Sequence, residues 1–227
     1  MNCALNRPKI NLHLCVPGSG RGPFLAHLVS LAIHTSEAGI SVRITNSRSS
    51  DLVALRTRIA GTAIAAGATH LLWIDDDMLF PSDAALRLIE HDLPVVVGNY
   101  VKKDLNYTPV VANSIAPEDV ISSVGKTGLE RVYSSGLGFT LVQADVFHKI
   151  RFPWFGHRWF HTDNIAQPSI GVPAPDEWGQ WRDAFEDTWF FGRLAEANMP
   201  VMVDHDLSQQ LGHYGGIVYL GDGIGVA

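Results

Sequence analysis

Cysteine is nearly missing: Cys3 and Cys15 are the only two in 227 residues. Cys15 lies inside an apolar run, so a disulfide framework is excluded and a reducing, cytoplasmic setting is expected. An excess of basic charge is missing too. Seventeen Lys and Arg against 23 Asp and Glu give a net charge of −6. That removes any general attraction to nucleic acid or anionic membrane, while leaving a local basic groove open. No stretch approaches the roughly 20 uncharged apolar residues of a membrane helix. Residues 1–9 lack the apolar centre of a signal peptide, so a soluble chain with no stable membrane insertion is expected. There is no internal repeat. The glycine-rich turn from Pro17 to Gly22 has neither P-loop nor Rossmann spacing.

What is present is an ordinary globular composition, 46% hydrophobic and 18% charged, long enough to bury one sizeable core. The first hundred residues alternate strand and helix patterns. Ile10–Val16 reads as a buried strand, Pro23–Ala38 as a helix stopped by Gly39, and Ile40–Thr45 as a second strand. A helix over 51–66 follows, capped by Ser50 or Asp51. Then come a strand at His70–Ile74, a helix from Pro81 to His91 and a strand at Pro94–Gly98. Strands separated by helices imply a mainly parallel sheet flanked by helices, with ligands at the carboxyl ends of the strands. That rule puts Pro17, residues 46–51, Asp75–Asp77 and Asn99 on one rim. After residue 100 the rhythm changes. Thr108–Ala112, Val120–Val124 and Leu129–Tyr133 read as antiparallel or mixed strands, and 151–181 as an aromatic loop. A helix over 184–198, a strand at Val201–Val203 and an irregular glycine-rich tail from Gly212 complete the chain.

The most informative stretch is Leu71-Leu72-Trp73-Ile74-Asp75-Asp76-Asp77-Met78. In an extended segment Asp75 and Asp77 share one side and Asp76 takes the other. Carboxylates so close oppose each other's ionisation unless a cation neutralises them. An oxygen-rich site of this kind suits Mg²⁺ or Mn²⁺, which commonly share ligation with substrate phosphates. The plainer alternative is a solvated loop or a helix cap.

The segment from His70 to Pro81 resembles the D-x-D segment of GT-A glycosyltransferases, especially small family-2-like bacterial and phage members. Arg56-Thr57-Arg58-Ile59-Ala60 resembles the helix that precedes it there, with Thr57 standing where Asn is usual. Ser135–Phe139, Glu186-Asp187 and a late His213 match further motifs in the same order. The resemblance implies a GT-A fold over 1–227, with a nucleotide-sugar-binding half at 1–104 and an acceptor-binding half at 105–227. It implies a nucleotide-diphosphate sugar donor, Asp75 on the ribose or a metal-bound water, and Asp77 and His213 as ligands of Mn²⁺ or Mg²⁺. The metal set is therefore Asp75, Asp77 and His213.

Around this centre each residue has a functional and a plainer reading. Pro17 and the glycines after it bring backbone amides near a nucleotide, or form an ordinary turn. Arg48 and Arg56 are candidates for the base or diphosphate, with Asp76 beside them, whereas Arg58 fits a solvated helix face. Gly136 and Gly138 mark close approach of the donor sugar, or a bulge. Asp183-Ala-Phe-Glu186 has the form of a helix cap, with Asp187 in the first turn. By resemblance to inverting members, Asp187 is the base for an acceptor hydroxyl, with Glu186 at its side. Trp154, Trp178 and Trp181 suit an acceptor wall, or a hydrophobic cluster pinning the loop 151–181. The acceptor is expected to be a carbohydrate or other hydroxyl, with a modified DNA base as an alternative. A nucleotidyltransferase, or a carbohydrate-binding protein without turnover, are the competing functions.

Overall fold

The computed structural model describes residues 9–18, 23–114, 119–161, 181–215, 218–221 and 223–225. Its first half runs β1 (Asn11–Pro17), α1 (Phe24–Glu37), β2 (Ser41–Ser47), α2 (Leu52–Ala65), β3 (His70–Ile74), β4 (Met78–Leu79), α3 (Ala84–Glu90) and β5 (Val95–Gly98). The second half adds β6 (Leu129–Val132), β7 (Phe139–Gln143), α4 (Val146–Lys149), β8 (Arg158–His161), β9 (Trp181–Ala184) and α5 (Glu186–Glu196). It ends with β10 (Val201–Asp204), α6 (His205–Ser208), β11 (Gly212–Tyr214), β12 (Val218–Leu220) and β13 (Gly223–Gly225).

Seven strands form one sheet in the order β2-β1-β3-β7-β5-β10-β6. β1, β2, β3, β5 and β10 share a direction, while β7 and β6 run against their neighbours. The inner strands are aliphatic without alternation because both faces are covered. Leu71 and Trp73 join a core under α2 and α5, whereas Leu72 and Ile74 join a second core under α1 and α3. Asp51 caps α2, its carboxylate accepting from the Ala54 amide at 2.9 Å, and Gly39 follows α1 with φ +87°.

Three local expectations are corrected. Thr108–Ala112 and Val120–Val124 form only isolated bridges, among them Val101 with Pro109 and Ala112 with Val120; a proline without an amide cannot extend a ladder. The tail is not irregular: β11, β12 and β13 join β4 in an antiparallel sheet of four. β4 supplies the edge that orders these short, glycine-containing segments, an effect of context that composition does not carry. Finally, α5 begins at Glu186 behind an extended Phe185, with no side-chain cap. Asp183, expected at the cap, lies in β9, which pairs with β8, while Glu186 and Asp187 stand in the first turn of α5.

Candidate active site

β3 ends at Ile74, and the chain turns so that the Met78 amide donates to the Asp75 carbonyl at 3.2 Å. The three acids therefore leave the rim in different directions. Asp76 turns toward the end of β1: a Cβ on Gly18 would lie 2.3 Å from its Cγ, so only glycine fits there. Asp75 is held from two sides. Its amide donates to the Gly138 carbonyl at 3.0 Å, and its Oδ1 accepts from Arg56 Nη2 at 2.9 Å.

Asp77 belongs to a different constellation. β4 pairs with β11, setting His213 opposite Met78, and the Tyr214 amide donates to the Asp77 carbonyl at 2.7 Å. His213 Nε2 then lies 3.2 Å from Asp77 Oδ1. On the other side of its ring, Nδ1 is 3.0 Å from the Val101 carbonyl oxygen. A carbonyl only accepts, so Nδ1 carries the proton. Nε2 of the neutral ring then presents a lone pair to a carboxylate oxygen, an arrangement that calls for a cation between them or a second proton on the ring. A ring held through Nδ1 on a backbone carbonyl is the usual support of a metal-ligating histidine. Asp77 Oδ2 is paired with Lys103 Nζ. Burial would raise the Asp77 carboxyl, but the bonds from His213 and Lys103 outweigh it and hold the group below its ordinary range.

Arg56 sits at the junction. It is 3% exposed, with Nε donating to Glu186 Oε1 at 3.1 Å and its guanidinium carbon 5.5 Å from the Trp73 ring centre. One buried side chain thus ties the end of β3 to the start of α5. Two ion pairs keep it charged despite burial. Asp187, the next residue, is half-buried and accepts from the Thr188 amide at 2.6 Å. Its carboxyl is pushed up to about 6, first by burial and next by the Glu186 charge, against the opposing pull of the Thr188 amide and Arg56.

Gly136 and Gly138 clear one aromatic hydroxyl. A Cβ on either would stand 2.4 Å from Tyr100 Oη, and on Gly138 also 3.0 Å from Asp75 Oδ2. The Gly138 amide donates to Tyr100 Oη at 3.0 Å. Burial, and then the charges of Asp75 and Asp187, keep that phenol neutral.

The expected site residues thus divide. Asp75, Arg56, Glu186 and Asp187 come together, and Asp77 meets His213. Among the described residues no three His, Cys, Asp or Glu side chains converge on one cation position; Asp75 Oδ1 is turned to Arg56, leaving Asp77 and His213 as the pair that fits one. At Asp77 and His213 one carboxylate oxygen and one imidazole nitrogen lie adjacent, a donor set that suits a divalent ion. Pro17 ends β1 and Arg48 lies exposed just past β2, both on the same rim. Trp154 is half-buried, its Nε1 donating to the Phe147 carbonyl at 3.0 Å and its ring 5.2 Å from Phe147; Phe155 beside it stacks on Phe190 at 5.2 Å. This end of the aromatic stretch packs on the core. Trp178 and the Trp181 side chain lie outside the described residues.

Sequence reasoning placed Asn99 on the rim but missed the segment 100–103 that follows it. Asn99 Nδ2 donates to the Ile121 carbonyl at 2.6 Å, while Tyr100, Val101 and Lys103 reach Gly138, His213 and Asp77 in turn. The available signal was Asn99-Tyr100 and then Lys102-Lys103, directly after the apolar strand Val95–Gly98 at the ligand rim.

The chain matches no protein-family profile and no curated protein sequence. Among solved structures, A197 from STIV aligns with TM-score 0.59 at 16% identity, over 96% of this chain and 97% of that one. A Drosophila β1,4-galactosyltransferase 7 mutant, in complex with manganese, UDP-Gal and xylobiose, aligns with TM-score 0.52 at 15% identity, over 91% and 71%. A glycosyltransferase involved in glycosylation of the PBCV-1 major capsid aligns at TM-score 0.33 and 11% identity, over 63% and 68%. A mostly parallel sheet flanked by helices, a small antiparallel sheet, and the first two of these neighbours give the chain a GT-A-like fold.

Proposed function

We propose that this chain is a metal-dependent glycosyltransferase, moving a sugar from a nucleotide-diphosphate donor to an acceptor hydroxyl with inversion at the anomeric carbon. The observation that carries the reading is the Asp77–His213 contact, in which the ring, held through Nδ1 on the Val101 carbonyl, directs Nε2 at a carboxylate oxygen. Mn²⁺ or Mg²⁺, when held by Asp77 and His213, supplies neutralisation of the charge developing on the diphosphate. The manganese and UDP-Gal of the Drosophila enzyme, on a similar fold, agree with that assignment.

In this reading Pro17, Arg48 and Asp76 border the nucleotide, and Asp75, fixed by Arg56, meets the ribose or a water. Gly136 and Gly138 leave room for the donor sugar. Asp187 takes the acceptor hydroxyl's proton as its oxygen bonds to the anomeric carbon. The bond from that carbon to the diphosphate breaks, and its electron pair departs with the diphosphate. A carboxyl poised near 6 is ionised at neutral pH yet basic enough to share a proton in the transition state. Glu186, at its side, holds Arg56 and raises Asp187. Residues 1–104 form the donor half and 105–227 the acceptor half, for a carbohydrate or other hydroxyl, a modified DNA base included.

The test is product analysis over a panel of nucleotide sugars with Mn²⁺. Nucleoside diphosphate is expected from the wild type and none from Asp77→Ala. Pyrophosphate as product, or full activity in Asp77→Ala, would overturn the proposal.

A further inference from the structure

We infer that Lys103 is a donor-binding residue, and that its ammonium and a divalent ion compete as partners of the Asp77 carboxylate, the one on Oδ2 and the other on the Oδ1 side facing His213. The inference rests on the reading of Asp77 as an ion ligand and not on sugar transfer itself. The two cations of the site differ in freedom. Arg56 is buried and anchored on two carboxylates, so it stays. Lys103 is one-third exposed, and the pair with Asp77 is its salt bridge among the described residues.

Its backbone, by contrast, is fixed. Val101 bridges Pro109, the Lys102 amide donates to the Thr108 carbonyl at 2.8 Å, and the Asp104 carboxylate accepts from the Asn106 and Thr108 amides at 3.2 and 3.1 Å. A flexible four-carbon stem on a rigid hairpin can swing without rearranging the site. The same hairpin start orients His213 through the Val101 carbonyl, so both groups next to Asp77 are positioned by one segment.

A divalent ion brought to Asp77 places two positive charges beside the ammonium, which repel it. An ion arriving alone must displace Lys103 into water. An ion arriving with a diphosphate offers the lysine anionic oxygens at the same rim, and lysine binds phosphate well as a point charge. Ion and diphosphate should therefore bind with positive coupling, and that coupling is reciprocal.

The test is Mn²⁺ binding to the whole chain, followed by electron paramagnetic resonance, first alone and then with inorganic pyrophosphate. Lys103→Met is expected to bind Mn²⁺ alone about tenfold more tightly than wild type, since a competing cation is gone. With Mn²⁺ saturating, it should bind pyrophosphate about tenfold more weakly, and Lys103→Arg should keep most of the coupling. Unchanged melting of both variants shows that the fold is intact. Mn²⁺ affinity that is unchanged or weaker in Lys103→Met overturns the inference, as does unchanged pyrophosphate binding. If both shifts occur but no sugar is transferred, the functional proposal fails and this one stands; if neither protein binds Mn²⁺, both fail.

Discussion

At the scale of single residues, Asp187 and Arg56 carry opposed stresses. Raising the Asp187 carboxyl from an ordinary 3.8 to about 6 means the folded chain holds its proton more tightly than the unfolded chain does. Folding stability contributed by this group is therefore present at low pH and falls as pH rises between those two values. The gap corresponds to at most about 3 kcal/mol, reduced because the side chain is only half-buried. Asp187→Asn should melt higher than wild type at pH 8 while losing transfer by a factor of about 10² to 10⁴; denaturation and initial-rate measurements at one pH check both halves. In the wild type, kcat/KM should climb through a limb near pH 6 as the base ionises. Arg56→Met removes a cation that lowers the Asp187 carboxyl, so that limb should move to higher pH. It also strands a buried Glu186, and urea denaturation should register a loss of about 3–5 kcal/mol.

At the scale of elements, the site depends on a few close approaches. Gly138→Ala would drive a methyl into Tyr100 Oη and toward Asp75. Overpacking of this kind costs about 1–3 kcal/mol, and a lowered melting temperature with weakened donor binding in calorimetry is the expected outcome. Much of the element order was legible from sequence. The strand His70–Ile74 is legible in an unbroken apolar run, and a cap at Ser50 or Asp51 in the polar pair before a helix, of which the structure uses Asp51. The pairing of β4 with β11 was not legible, since two residues after a turn and three in a glycine-rich tail carry no pattern until each supplies the other's hydrogen bonds. Yet that pairing brings His213 to Asp77. Gly136 and Gly138 point in the sequence to the donor sugar or to a bulge; the neighbour the structure sets against both is Tyr100, whose place across the sheet no spacing rule gives. Lys103 was missed for the same reason: a lysine after a strand looks solvated until the sheet sets β5 beside β3 with only β7 between them.

At the scale of the whole molecule, Arg56 joins Asp75, just past β3, to Glu186, at the start of α5, so this charge network is a property of the assembled sheet and not of any motif. Among the described residues no helix is long and apolar enough to cross a membrane, and the net charge of −6 gives no general pull toward DNA. The account turns on one pair of side chains presented by β4 and β11. Anomalous diffraction at the manganese edge, from crystals soaked with Mn²⁺ and a nucleoside diphosphate, tests it most directly. The prediction is a peak about 2.0–2.2 Å from both an Asp77 oxygen and His213 Nε2. A peak elsewhere, with those two side chains still bonded to each other, would contradict the account.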